Sequence, residues 1–293
     1  IDQNTAATGG GMQLAGGFII DSVDIINNIV GYGIYFYYAQ GQISNSRISN
    51  NGMGMFIVGA NYGENGDWES TGIIFDHVEI IDNLGGAYPE QIGIGSNTAG
   101  SSRNNVLFNH VTIALTDPDS YDCSAIRTQT GGLPTHPPVN ITLRNSIIGQ
   151  HSGGAILHLT PEAEGEVNVV IEYSNIAGGE SSIIDADSLV YENNIDVDSR
   201  FVDSENGDFH LLATSPCINS GDPEDVDPGS TLWDIRADMG AYPYLVNHEN
   251  QSFYVEENGS DVYGIGTTGD PFASIQAGLN FAGADHIIHV STG

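Results

Sequence analysis

The sequence predicts an all-β chain wound as a parallel β-helix, a solenoid, with one short capping α-helix near its C-terminus. Three observations predict it. Isoleucine returns at positions 1, 25, 48, 80, 113, 148 and 176, at intervals of 24, 23, 32, 33, 35 and 28 residues. Repeats of ~20 to 50 residues mark solenoids, and the longer intervals fit the same coil with loops added on one side. Around each isoleucine the same neighbouring positions are apolar, and a glycine corner introduces a further apolar strand in several coils. No helical period interrupts them.

Within a coil the first strand is set by the positions seven and five before the isoleucine. They read Phe18 and Ile20, Gly41 and Ile43, Ile73 and Phe75, Val106 and Phe108, Ile141 and Leu143, and Val169 and Ile171. Alternation about an outward residue is a strand with one buried face. The next inward pair, such as Val23/Ile25 or Ser46/Ile48, is out of step with the first by one residue, so a corner lies between them. The corner position, three before the isoleucine, reads Ser22, Asn45, His77, His110, Asn145 and Tyr173. His77 and His110 allow two readings there: paired metal ligands or acid/base groups, or rungs of a polar ladder bonding the turn of the neighbouring coil. The ladder is preferred, because no third ligand recurs in the frame. Three residues beyond the isoleucine stand Asn28, Asn51 and Asn83.

The third strand follows the glycines of Gly9-Gly10-Gly11, Gly31-Tyr32-Gly33 and Gly52-Met53-Gly54. A phosphate-cradling loop is excluded for the triple glycine, since no Lys, Ser or Thr and no helix follow in the required places. It reads as a corner whose backbone angles glycine tolerates. Insertions at 59–71, 88–105, 117–138 and 160–166 all fall after the third strand, which stacks them on one flank. Such a loop-bearing flank is where a solenoid binds or catalyses. It carries Glu64, Asp67, Trp68 and Glu69, then Asp117, Asp119, Asp122 and Arg127, then Glu162, Glu164 and Glu166.

The chain of 293 residues holds 38 Asp plus Glu against 6 Lys plus Arg, all six of them Arg, for a formal charge of −32. That field repels nucleic-acid phosphates and anionic bilayers, which excludes both as partners. It also disfavours a compact state unless ions screen it, which points to salt water or bound divalent cations. No apolar run approaches the ~18 residues of a membrane helix. Ile1, with neither initiator Met nor signal-like segment, is expected to be a processed or cut end. Cys123 and Cys217 are expected to be two separately buried thiols rather than a disulfide.

From Ile195 the pattern breaks. The stretch NGDFHLLATSPCINSGD, followed by RADMGAYPY, resembles the closing segment of bacterial secreted right-handed parallel β-helix repeat proteins of the pectin-lyase-like superfamily. Asp208, Phe209, His210, Leu211, Ser215, Pro216, Ile218, Gly221, Asp222, Arg236, Asp238, Gly240, Ala241 and Tyr242 carry the likeness. The resemblance implies an architecture and a right-handed coil, not an activity. Pro216, Pro223, Pro228 and Pro243 suit a segment that covers an open sheet edge without extending it. Residues 252–293 resemble the opening of the same family: a strand, an Asp/Gly-rich loop, a capping helix and a first coil strand at 287–290. The helix is expected over 271–281, with Asp270 as N-cap, Pro271 at N1, and Phe272, Ile275, Gln276 and Leu279 on one face. Three regions follow: coils over 1–200, a closing segment over 201–245, and an opening cap over 246–293. An opening cap at the C-terminal end fits a slice of a longer tandem protein. It equally fits a segment that covers the first coil of another copy, head to tail.

The resemblance brings lyases and hydrolases into view. Lyases of this fold typically use Lys or Arg to neutralise a uronate and take its proton, often beside Ca2+. This chain has no lysine, its arginines are scattered, and its field repels polyuronates. Hydrolysis needs two carboxylates ~5 to 9.5 Å apart with one pKa raised. No catalytic residue is assigned. Calcium has weak candidates in Asp222, Glu224, Asp225 and Asp227, and in Glu256, Glu257, Asp261 and Asp270, none at EF-hand spacing. The expected function is an extracellular or cell-surface structural or adhesive rod, with copies of itself as partners in a filament. The alternative is a carbohydrate-active enzyme or carbohydrate-binding module with polysaccharide as its ligand.

Overall fold

The computed structural model describes residues 10–58, 72–83, 90–96, 104–120, 123–130, 138–149, 157–160, 166–229, 236–245, 252–282 and 286–291. The described strands of the repeat form one large parallel sheet that curls round on itself, a parallel β-helix. Each coil contributes to three faces.

On the second face the isoleucine column is continuous. Ile25 pairs with Ile48, Ile48 with Ile80, Ile80 with Ile113, Ile113 with Ile148, and Ile148 with Ile176. All six side chains are fully buried; Ile1 lies outside the described residues. The first face holds register equally well, Phe18–Gly41–Ile73–Val106–Ile141–Val169 beside Ile20–Ile43–Phe75–Phe108–Leu143–Ile171. Opposite them the third face brings Met12, Ile34, Met55, Ile92, Ile126, Leu157 and Ile183 into line. The three columns meet in one hydrophobic core. At about 1.5–3 kcal/mol for each large apolar side chain removed from water, this interior is the main source of stability.

The one-residue slip between the first two faces has a simple cause. Ser22, Asn45, His77, His110, Asn145 and Tyr173 all adopt the left-handed conformation, with φ between 48° and 56°. A single such residue turns the chain while keeping both flanking strands in the sheet. At the next corner Asn27, Asn50 and Asp82 are left-handed too, and the residues that follow them form a buried amide ladder. Asn28 Nδ2 donates to Asn51 Oδ1 and Asn51 Nδ2 to Asn83 Oδ1, each at 2.8 Å.

At this corner Gly31 takes a left-handed backbone angle, whereas Gly33, the glycine inside the third strand, is explained by the ladder. Gly33 has no positive φ, yet a Cβ there would stand 2.7 Å from the Asn51 amide. Gly41 is the opposite case: at φ +150° it occupies a position where the other coils carry an apolar side chain, and a Cβ would run into the Phe18 carbonyl.

The stack continues one turn past the last isoleucine of the frame. Residues 188–192 pair with 168–172, Asn193 takes the left-handed corner, and Asn194 Oδ1 receives the Ser174 amide. Asp196 stands where an isoleucine would recur, so apolar periodicity missed this coil.

The closing segment does more than cover an edge. It runs back along the outside of the second face and buries outward residues there, among them Glu79, Thr112 and Ile147. Ala241 N donates to Thr112 Oγ1 at 2.9 Å, and Phe209 packs on Ile81 and Ala114. Beyond it, 252–255 pairs in parallel with 287–290, and Phe253, Phe272 and Phe281 share a cluster with Leu211, Cys217, Ile218, Met239 and Ile147. The opening cap therefore packs on the closing segment of its own chain. Its helix spans Ile275–Phe281, with Ser274 as N-cap accepting the Ala277 amide. This corrects the expected start at 271: the Asp270 amide and carbonyl serve a turn with Thr267, while Asp261 Oδ1 takes the Ala273 and Ser274 amides. The buried face is Ala277, Gly278 and Phe281, so Ile275 and Leu279, expected inside, are exposed. Cys123 and Cys217 are separate buried thiols with no disulfide between them.

Candidate binding groove

Outward side chains of the first face stack as regularly as inward ones. Eight residues before the isoleucine, Asn140 Nδ2 donates to Asn105 Oδ1 at 2.7 Å and Asn168 Nδ2 to Asn140 Oδ1 at 3.0 Å. Six before it stand Ile19, Gln42, Ile74, Leu107 and Thr142 in register. Four before it, Ser44 bonds Asp21, Asn109 bonds Asp76 at 3.0 Å, and Arg144 meets Glu172 at 3.0 Å. The first two columns, with Arg144 from the third, floor a hollow of about 1150 Å3 lined by five successive strands. Four inter-strand steps give it a length of roughly 19 Å along the coil axis.

The carboxyls that stand beside the groove on this face have lowered pKa values. Hydrogen bonds from Asn45, Ser44 and Ser22 keep Asp21 below the ordinary carboxylate range. Burial would raise Asp76, but His77 and Asn109 bond it and the net effect lowers it. Carboxyls with raised pKa lie elsewhere. Glu79, beneath the closing segment, is raised by burial against the opposing pull of Arg47 at 2.7 Å. Glu90, on the third face, is pushed up to about 7 by burial, against the pull of Arg127. Asp238 is pushed up to about 8 by burial and by its neighbour Asp227, itself raised by burial. Among the described residues lining the groove, none is an acid poised to protonate a leaving group.

The corner histidines stack across coils, while their bonds go to Asp76 and the closing segment instead of the expected turn backbone of a neighbouring coil. Their rings stack at 4.5 Å, His77 Nδ1 is 3.2 Å from Asp76, and His110 meets the Asp238 carbonyl at 3.1 Å and Asp225 at 3.2 Å. Burial lowers the His110 pKa. Asn145, one coil on, donates to Asp225 and accepts the Asp222 amide, so this corner column fastens the closing segment.

Among the described residues no three His, Cys, Asp or Glu side chains gather as a metal-ligand group. Several calcium candidates are engaged by the chain's own amides: Asp222 Oδ1 takes Glu224 N, Asp225 Oδ1 takes Val226 N, and Asp227 takes Asp238 N. Of the flank residues singled out by sequence, Glu64, Asp67, Trp68, Glu69, Asp122, Glu162 and Glu164 lie outside the described residues. Arg127 stands on the third face, away from the groove. The groove's amide column went unnoticed in the sequence because it begins only at the fourth of the copies. Asn105, Asn140 and Asn168 at one frame position were the available signal.

Fold and groove define a class, a parallel β-solenoid with a linear groove along one face. No family model, no curated protein and no solved structure matches the chain.

Proposed function

We propose that the protein is a non-catalytic extracellular rod, structural or adhesive, that lays an extended neutral polysaccharide along its first-face groove. One observation carries the reading: the floor sets Gln40, Asn105 and Asn140 in one column beside Ile19, Ile74 and Leu107 in the next, and among the described lining residues there is no carboxylate. Amides offer donors and acceptors to hydroxyls, the apolar column receives sugar faces, and the field disfavours polyuronates. The closing-segment motif supports placing the chain near the pectin-lyase-like superfamily, and with it an extracellular setting. Co-sedimentation with glucan, xylan and mannan, beside polygalacturonate and alginate, tests the proposal. Retention on a neutral polymer without new reducing ends is expected. New reducing ends or unsaturated products would make the groove an enzyme's, and failure to bind any polymer would leave a bare scaffold.

Head-to-tail assembly is a second reading, favoured by apolar side chains at the two extremes: Ile19 and Ile29 are 87% and 70% exposed, Ile287 and Val290 56% and 52%. Sedimentation velocity across protein concentration tests it. A single monomeric species throughout would end it.

A further inference from the structure

A second hollow, of about 360 Å3, lies between the closing segment and the opening cap. Tyr242, Tyr244, Tyr263 and the imidazole of His210 surround it, with Asp208 beside them. Val202, Leu211, Pro243, Leu245, Val262 and Ile265 supply the apolar lining, and among the described residues no Lys or Arg lines it.

Two of the rings are fixed before any ligand arrives. Tyr242 bonds Glu79 through its hydroxyl and stacks on His210 at 4.2 Å. Tyr244 donates to the Gly264 carbonyl at 2.6 Å and packs against Phe281. Both hydroxyls are thereby turned to protein partners, and each ring already has one neighbour, so an occupant meets the ring surface that His210 and Phe281 leave uncovered. Tyr263 is 81% exposed and stands at the mouth. His210 Nδ1 donates to Asp208 at 2.8 Å, since a carboxylate can only accept.

Aromatic walls, a carboxylate and, among the described lining residues, no Lys or Arg favour one class of guest. We propose that this pocket binds a small organic ammonium ion, held over the tyrosine rings and drawn in by Asp208 and the chain's negative field. Ring quadrupoles attract a cation within ~6 Å of the centroid, and a methylated ammonium gives up its hydration more readily than a metal ion does. A neutral body of the same shape would gain only the apolar contact. The site is separate from the first-face groove, and the proposal holds whether or not a polysaccharide binds there.

Titration calorimetry with choline and with its uncharged isostere 3,3-dimethylbutan-1-ol, on the intact chain, decides the matter. Saturable choline binding is expected, with the isostere weaker by about tenfold or more. Tyr263→Ala removes an exposed ring outside any core, so its fold is expected to survive; choline affinity should fall by about tenfold. Asp208→Asn should weaken choline and leave the isostere unchanged. Equal binding of the two probes, no saturable choline binding, or an unaltered Tyr263→Ala titration would overturn the proposal.

Discussion

Two faces of the same coil meet opposite fates. On the first face the outward columns stay open: Ile74 is 36% exposed, and the acids Asp21 and Asp76 are held below the ordinary carboxylate range by hydrogen bonds. On the second face the outward positions lie under the closing segment. Glu79 is 3% exposed with its pKa raised by burial, and Thr112 and Ile147 are each 1% exposed. The repeat supplies similar strands to both, so the difference comes from what a non-repeating segment covers. A solenoid position is surface or core according to its distant partners, not its place in the frame.

The largest test of this contrast removes the cover. Phe209→Ala should cost about 3–5 kcal/mol, because it opens a cavity against Ile81 and Ala114. Ile74→Ala, the matching cut on the open face, should cost less than about 1 kcal/mol. Denaturant unfolding of both variants compares them directly; equal costs would erase the distinction. Next comes the ladder behind the second corner. Asn51→Ala should destabilise by about 2–3 kcal/mol, since it strands the buried amides of Asn28 and Asn83.

Acidity should separate the faces more gently. Asp238, with a folded pKa of about 8, binds a proton more tightly than an unfolded aspartate does. Its contribution is full below the unfolded value near 4 and fades as pH rises towards 8. His110, whose folded pKa is lowered, works the other way and withdraws support as pH falls through its unfolded value near 6.5. Asp225 and His77 face the same cluster. Asp21 and Asp76 on the open face have lowered values, so their support disappears only as pH falls below the ordinary carboxylate range. Protection of the Asn219 and Tyr244 amides, both bonded to Asp238, taken as hydrogen exchange relative to the intrinsic base-catalysed rate, should fall between pH 6 and about 9, and Asp238→Asn should flatten the response. The smallest effect is expected at Arg144→Ala. Its ion pair with Glu172 is partly exposed and worth under about 1 kcal/mol, so stability should barely move while any loss of polysaccharide retention reads the groove alone.

Much of the coil was legible because it repeats. The isoleucine column, the left-handed corner and the Asn28–Asn51–Asn83 ladder each recur in a frame that a single sequence exposes. What lies between repeats was not. Thr112 and Ile147 read as outward residues, and only the docked segment makes them interior. The helix kept its period but not its phase: Ile275 and Leu279 looked like the inward pair, whereas the small Ala277 and Gly278 face the strands. Asp270-Pro271 offered a start signal as good as Ser274, and the choice fell to Asp261, which captures the intervening amides from twelve and thirteen residues away. The groove's amide column was readable in principle, and the aromatic hollow was not, since its walls come from stretches with no common period.

Tyr242 reaches Glu79, which in turn holds Arg47. A later-made segment thus clasps two turns laid down before it. During ribosomal synthesis those turns must wait, wet on one flank and carrying a half-solvated acid, until the strap has emerged. An arrest shortly before residue 242 would release a rod whose windings are complete but unbuckled, more open to proteases along that flank than the finished molecule.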